Sequence, residues 1–201
     1  MVERMRAGLL GGTFDPIHIG HLIIAEACRS QLGLERVFFV PAGAPPHKLS
    51  KPVTSPQHRF AMTELAVASN PFFTVSRLDI DRPGPCYSTD TVRLLSEQLN
   101  NEADLYFIIG TDSLMDMPTW HEPQQLIGLC RFAVVGRPNY EADLEWLESV
   151  LPGVRSRVEF VEAPAIAISS SDIKRRIRMG HSIKYQVPEP VEEYIHSHHL
   201  Y

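Results

Sequence analysis

Arg6-Ala7-Gly8-Leu9-Leu10-Gly11-Gly12-Thr13-Phe14-Asp15-Pro16-Ile17-His18-Ile19-Gly20-His21 leads from an apolar run through a glycine pair into the first turn of an amphipathic pattern. Residues 6–10 have the length and apolar content of a buried strand, and residues 19–32 carry an apolar face at helical spacing. Between them Gly11 and Gly12 let the backbone turn sharply and approach a ligand closely. Strand, glycine turn and helix in that order open a βαβ unit. Such sheets bind ligands in the crevice beyond the carboxyl ends of their strands, where the incoming helix offers free N–H groups and a positive dipole end. Phosphate is the natural guest.

The same alternation continues along the chain. Residues 36–40, 72–76, 105–109, 132–135 and 158–161 read as further strands. Pro56 after Ser55 is a first-turn proline behind an N-cap, opening a helix to about Ser69. Ser88 is expected to cap a helix ending near Asn100, and the serines at 169–171 precede a helix over 173–179 with Gly180 as its C-cap. Residues 189–196 close the series. The expectation is an α/β fold with a mostly parallel sheet in the order 3-2-1-4-5 and helices on both faces. The first and fourth strands then lie side by side, so that residues 11–21 and 110–112 flank one crevice. No linker or repeat divides the chain, so 1–201 reads as one domain, with 165–201 as its C-terminal helical part. The proline-rich stretch 41–56 sits between a strand and a helix and reads as a site loop.

Composition excludes several classes. Of 201 residues 44% are apolar, enough for a sizeable core, and 24 acidic against 19 basic residues leave a net charge of -5. No Lys/Arg run is dense enough to track a polynucleotide, so no nucleic-acid partner is expected. No segment approaches the roughly 20 apolar residues of a membrane span. Residues 1–6 lack the apolar core of a signal peptide. Cys28, Cys86 and Cys130 are odd in number and widely spaced, which favours reduced thiols over disulfides or zinc and places the chain in the cytoplasm.

Neither the G-x-x-x-x-G-K-[ST] loop nor the G-x-G-x-x-G fingerprint is present. Charge at the crevice must be stabilised otherwise. His18 and His21 stand three residues apart, so a helix beginning near His18 projects both rings from one face of its first turn. Gly20 between them is read as leaving room for a phosphate. Nucleotidyl transfer needs positioned donors around a charged transition state more than a protein nucleophile, and imidazoles supply them.

At this point a family resemblance becomes legible. Residues 11–21 resemble the [TH]-x-G-H signature of the nucleotidylyltransferase superfamily, and Ile168-Ser169-Ser170-Ser171-Asp172-Ile173-Lys174 resembles its I-S-S-T-x-I-R motif. Ser171 replaces a threonine and keeps the hydroxyl, while Lys174 replaces an arginine and loses the planar fork. The resemblance implies a Rossmann-like fold, with Gly11, Gly12, Thr13, Phe14, Gly110, Asp112, Ser169, Ser170, Ser171 and Lys174 at ATP. Arg175 and Arg176 share with Lys174 the candidacy for the leaving pyrophosphate.

Pro41-Ala42-Gly43-Ala44-Pro45-Pro46-His47-Lys48 is similar to the P-x-x-x-P-P-H-K loop of nicotinate mononucleotide adenylyltransferases. By that resemblance His47 and Lys48 meet phosphate groups, while Tyr87, Ser88, Trp120 and His121 receive the nicotinate mononucleotide. The ring then stacks near Trp120 and its carboxylate takes backbone N–H groups around Ser88 and His121. Lys48-Leu49-Ser50-Lys51 looks like a synthetase K-M-S-K-S loop but lies too soon after H-x-G-H. The implied reaction transfers AMP from ATP to nicotinate mononucleotide, with His18 and His21 as catalytic donors and Mg²⁺ carried on ATP phosphates, since no protein metal cage is evident. Another small-metabolite adenylyltransferase, such as one for phosphopantetheine, and a silent nucleotide-binding regulator are the competing readings. The sequence admits a homo-oligomer without requiring one.

Overall fold

A computed structural model describes residues 4–44, 53–136 and 142–201. Its elements in chain order are β1 Met5–Gly12, α1 Ile19–Leu32, β2 Arg36–Pro41, α2 Pro56–Val67, β3 Phe73–Val75, α3 Leu78–Asp81, α4 Ser88–Gln98 and β4 Ala103–Gly110. There follow α5 Thr111–Asp116, α6 Pro123–Leu129, β5 Arg131–Val135, α7 Leu144–Val150, β6 Val158–Val161, α8 Ser170–Arg178 and α9 Glu189–Ser197.

The six strands form one parallel sheet in the order β3-β2-β1-β4-β5-β6. This is the expected order with β6 added at the far edge. Alternate residues of β4 and β5 point to opposite faces, as strand geometry dictates. Tyr106, Ile108 and Ala133 join a core with Ala25 and Cys28 of α1, Met62 of α2, Ile173 of α8 and Ile195 of α9. Leu105, Phe107, Phe132 and Val134 join a second core with Leu95 of α4, Leu114 of α5, Leu126 of α6 and Leu147 of α7. Both faces are covered, which is why the strands read as near-continuous apolar runs.

β1 and β4 are neighbours in register from Met5↔Ala103 to Leu9↔Phe107, so the loops after Gly12 and Gly110 leave the same sheet edge side by side. The strand order reverses there, β2 and β3 lying to one side and β5 and β6 to the other, which is a topological switch point.

Some boundaries differ from expectation. The glycine pair belongs to the end of β1, because Gly11 and Gly12 still register with Val40 and Pro41 of β2. Tyr87, not Ser88, is the N-cap residue of α4, in extended conformation, and Ser88 is the first helical residue. α8 starts at Ser170, three residues before the expected start at 173, because Ser169 caps it by accepting the Asp172 amide. Gly180 takes φ 68° just past its end, as a left-handed stop requires.

Candidate functional site

The loop from Gly12 to α1 is built from its own packing. Phe14 sits at φ 48°, and its ring lies so close under Gly12 that a Cβ there would stand 2.8 Å from it. That ring is in the core, edge-on to His21 at 5.0 Å and tilted against Phe39 at 6.0 Å. Only the Phe14 backbone is thus left for the ATP contact predicted of it. The Asp15-Pro16 bond is cis. His18, extended, is the N-cap of α1 and His21 its third residue.

The two imidazoles stack with centroids 3.7 Å apart and planes 25° apart. The His18 amide donates to His21 Nδ1 at 3.2 Å, an assignment that leaves the His21 proton on Nε2. The His18 ring is buried, and its Nδ1 has no hydrogen-bond partner among the described residues. Burial lowers the His18 pKa to about 4. Burial, with the neighbouring His18 charge added, lowers that of His21 to about 3. Both rings are therefore neutral at pH 7. Gly20, expected to leave room for a phosphate, also makes room for the His18 ring, since a Cβ there would lie 3.1 Å from His18 Nδ1.

α8 is fastened to this loop. Ser170 Oγ donates to the Pro16 carbonyl at 2.9 Å, and Lys174 Nζ reaches Asp15 Oδ2 at 2.7 Å. The Tyr201 hydroxyl donates to Asp15 Oδ1 at 2.8 Å. Burial pushes the Asp15 carboxyl up, but hydrogen bonds from Lys174, Thr54 and Tyr201 outweigh it and hold the group below its ordinary value. Lys174, expected at the pyrophosphate, has one of its ammonium donors on Asp15. Arg175 pairs with Asp172, and Arg176 donates to the Ser182 carbonyl. Ser169 serves as cap, while Ser171 stays exposed at the helix start.

On the β4 side, Gly110 is the N-cap of α5 and Asp112 its second residue, where a carboxylate suits the helix dipole. Tyr87 stacks on His121 with centroids 4.2 Å apart, and the Thr89 hydroxyl donates to the His121 carbonyl at 2.8 Å. Trp120 lies half-buried, edge-on to Phe107 at 6.1 Å. Tyr87 and His121 are thereby brought together, with Ser88 and Trp120 adjoining them in the chain. As first residue of α4, Ser88 carries an amide that the helix leaves unpaired. His47 and Lys48 lie outside the described residues.

Asp15, Arg59, Thr89 and Tyr201 support the site without having been singled out. Arg59 had a visible signal: in α2 it shares the buried stripe of Met62, Thr63, Ala66 and Val67, a charge on a core-facing register. Tyr201 offered none, being brought to Asp15 only by tertiary folding.

The cytidylyltransferase-like family matches residues 9–176. A protein of Thermomicrobium roseum named "Probable nicotinate-nucleotide adenylyltransferase" is 50% identical over 196 residues, covering 98% of this chain and 91% of its own. One of Roseiflexus sp. strain RS-1 with the same name is 48% identical, covering 96% of each. Among solved structures, Plasmodium falciparum nicotinic acid mononucleotide adenylyltransferase complexed with NaAD superposes with a TM-score of 0.78 at 19% identity, covering 98% of this chain and 97% of that one. The same protein complexed with APC gives 0.76. These two share the fold.

Proposed function

The chain belongs to the cytidylyltransferase-like family, among its nicotinate-nucleotide adenylyltransferases, and we propose that the crevice between β1 and β4 is its catalytic site. It transfers AMP from ATP to nicotinate mononucleotide, giving nicotinate adenine dinucleotide and pyrophosphate. The observation that carries the site assignment is the stacked, neutral His18–His21 pair at the start of α1 beside the glycine end of β1.

An oxygen of the mononucleotide phosphate attacks the α-phosphorus, and the bond from that phosphorus to the bridging oxygen of the β-phosphate breaks. Pyrophosphate leaves with the electron pair. The attacking oxygen is already anionic, so no general base is required, which agrees with two imidazoles too weakly basic to accept a proton at neutral pH. Their role is donation to the α-phosphate oxygens as charge develops, with His21 Nε2–H and the Thr13 backbone as donors. Holding both substrates in line supplies much of the rate.

Gly11, Gly12, Gly110, Asp112 and the start of α8 at Ser169–Ser171 line the nucleotide side of this proposal. Tyr87, Ser88, Trp120 and His121, with His47 and Lys48 from their loop, receive the mononucleotide. Among the described residues no group of three or more His, Cys, Asp or Glu is placed to hold a metal ion. A divalent cation fits on the triphosphate itself, where it would neutralise part of the leaving group's charge. No helix among the described residues is long and apolar enough to cross a membrane, and Cys28, Cys86 and Cys130 are free thiols. We accordingly place the protein, read as one domain, in the cytoplasm. The direct test is to incubate the protein with ATP, magnesium and nicotinate mononucleotide. Pyrophosphate and dinucleotide should form in equal amounts, and the absence of dinucleotide would overturn the proposal.

A further inference from the structure

Arg59 is the largest fully buried side chain among the described residues, 1% exposed, and it sits where α2 faces the core. A guanidinium in that position needs its donors paired, because a buried donor left empty forfeits its hydration without return. Its fork reaches three backbone carbonyls. Its Nη1 donates to the Thr13 carbonyl at 2.7 Å, its Nη2 to the Gly43 carbonyl at 3.2 Å and its Nε to the Thr54 carbonyl at 2.8 Å. Burial lowers its pKa while the charge of Asp15 nearby opposes that, and a guanidinium stays protonated in any protein.

Those three carbonyls belong to two loops. Thr13 is in the phosphate loop after β1, whereas Gly43 and Thr54 flank residues 45–52 in the loop between β2 and α2. Gly43 is packed tightly against α3, where a Cβ would meet the Asp79 carbonyl oxygen at 2.2 Å, so only glycine fits there. The neighbouring Ala44 is tied onward: its amide donates to Cys86 Sγ at 3.3 Å, and the Cys86 amide donates to the Ala44 carbonyl at 3.2 Å. Cys86 adjoins Tyr87, which stacks on His121. A continuous chain of contacts thus runs from Thr13 through Arg59, Gly43, Ala44 and Cys86 to the Tyr87–His121 pair. Its two ends are the two substrate sides of the crevice.

We propose that Arg59 is a positioning residue for adenylyl transfer, its planar fork fixing Thr13 of the phosphate loop against Gly43 and Thr54 at one separation so that the mononucleotide phosphate is held in line with the α-phosphate of ATP. The inference rests on the function proposed above. It follows from geometry that a side chain with one donor point cannot replace it: a lysine reaches one or two of the carbonyls but cannot hold three fixed directions at once. Small errors of separation between reacting groups lower the rate steeply.

Arg59→Lys and Arg59→Met should be compared with wild type by two-substrate steady-state kinetics, with rates normalised to the folded fraction from urea unfolding. Arg59→Met should lose roughly 10²-fold in kcat, and Arg59→Lys about 10-fold, in line with misplaced reactants. KM for ATP should change less than kcat in both. Normalised kcat within twofold of wild type in Arg59→Met would overturn the proposal and leave Arg59 a residue of the fold alone. Should Arg59→Met not fold, Arg59→Lys decides: full wild-type kcat in that variant contradicts the role of the fork. Failure of the underlying function is a separate result, since it appears as wild-type protein making no dinucleotide.

Discussion

His21 holds its proton on Nε2 because its Nδ1 accepts the His18 amide, and protonating it would break that bond. Replacing either His18 or His21 by Ala should lower kcat by about 10²-fold, the usual cost of one transition-state donor. Retained turnover in steady-state assays would reduce that histidine to a packing role. The sign of the pH effect follows from the depressed values of about 4 and 3. Between these and the ordinary 6.5 the unfolded chain binds more protons than the native one, so stability falls as pH drops below 6.5. Urea unfolding from pH 7 to 4.5 should show this loss, with a shallower slope in His21→Ala. Gly20→Ala is a sharper probe, because a new Cβ would lie 3.1 Å from His18 Nδ1 and shift that ring within its stack on His21. It should lower kcat with little change in unfolding, whereas wild-type kcat would mean that the ring moves freely. The pair itself was legible in its spacing. The purpose of Gly20 was not, since a spacing does not say whether the space beside a glycine holds a ligand or the neighbouring ring.

Among the elements, α4 is the one to which the proposed function assigns acceptor selectivity. Ser88 occupies its first helical position and Tyr87 before it is extended, at φ -79° and ψ 140°. Proline is accepted at such a position and asks its predecessor for that conformation. Ser88→Pro therefore deletes one amide donor and leaves the helix standing. The preference for nicotinate over nicotinamide mononucleotide should survive Ser88→Ala and collapse in Ser88→Pro, measured as the ratio of kcat/KM values. Unchanged selectivity in Ser88→Pro would move carboxylate recognition elsewhere. The strands and the long helices α1, α2 and α4 were readable because each shows its period or its cap. Helices α3, α5, α6 and α7 were not singled out, for they span only 4 to 7 residues, too few turns to display a helical repeat.

At the scale of the molecule, the parallel order puts the β1 and β4 loops together, and the C-terminal helices are latched onto the first of them through Asp15. Alternation of strand and helix was enough to expect a parallel sheet, whereas the order was expected because it brings the motifs at 11–21 and 110–112 to one crevice. The latch was beyond reach, since Asp15, Lys174 and Tyr201 are far apart in the chain and share no pattern. Asp15→Asn would leave Lys174 without its charge partner in a nearly buried setting, and should cost roughly 1–3 kcal/mol in urea unfolding. A wild-type unfolding midpoint would show the latch to be idle. The central claim, that this crevice joins ATP to a mononucleotide bearing a carboxylate, is tested most directly by kcat/KM for nicotinate and nicotinamide mononucleotides with saturating ATP. The account predicts a preference for nicotinate of at least about 10²-fold, since a carboxamide sets its own donors against backbone N–H groups in a desolvated pocket. Equal values for the two mononucleotides would contradict it.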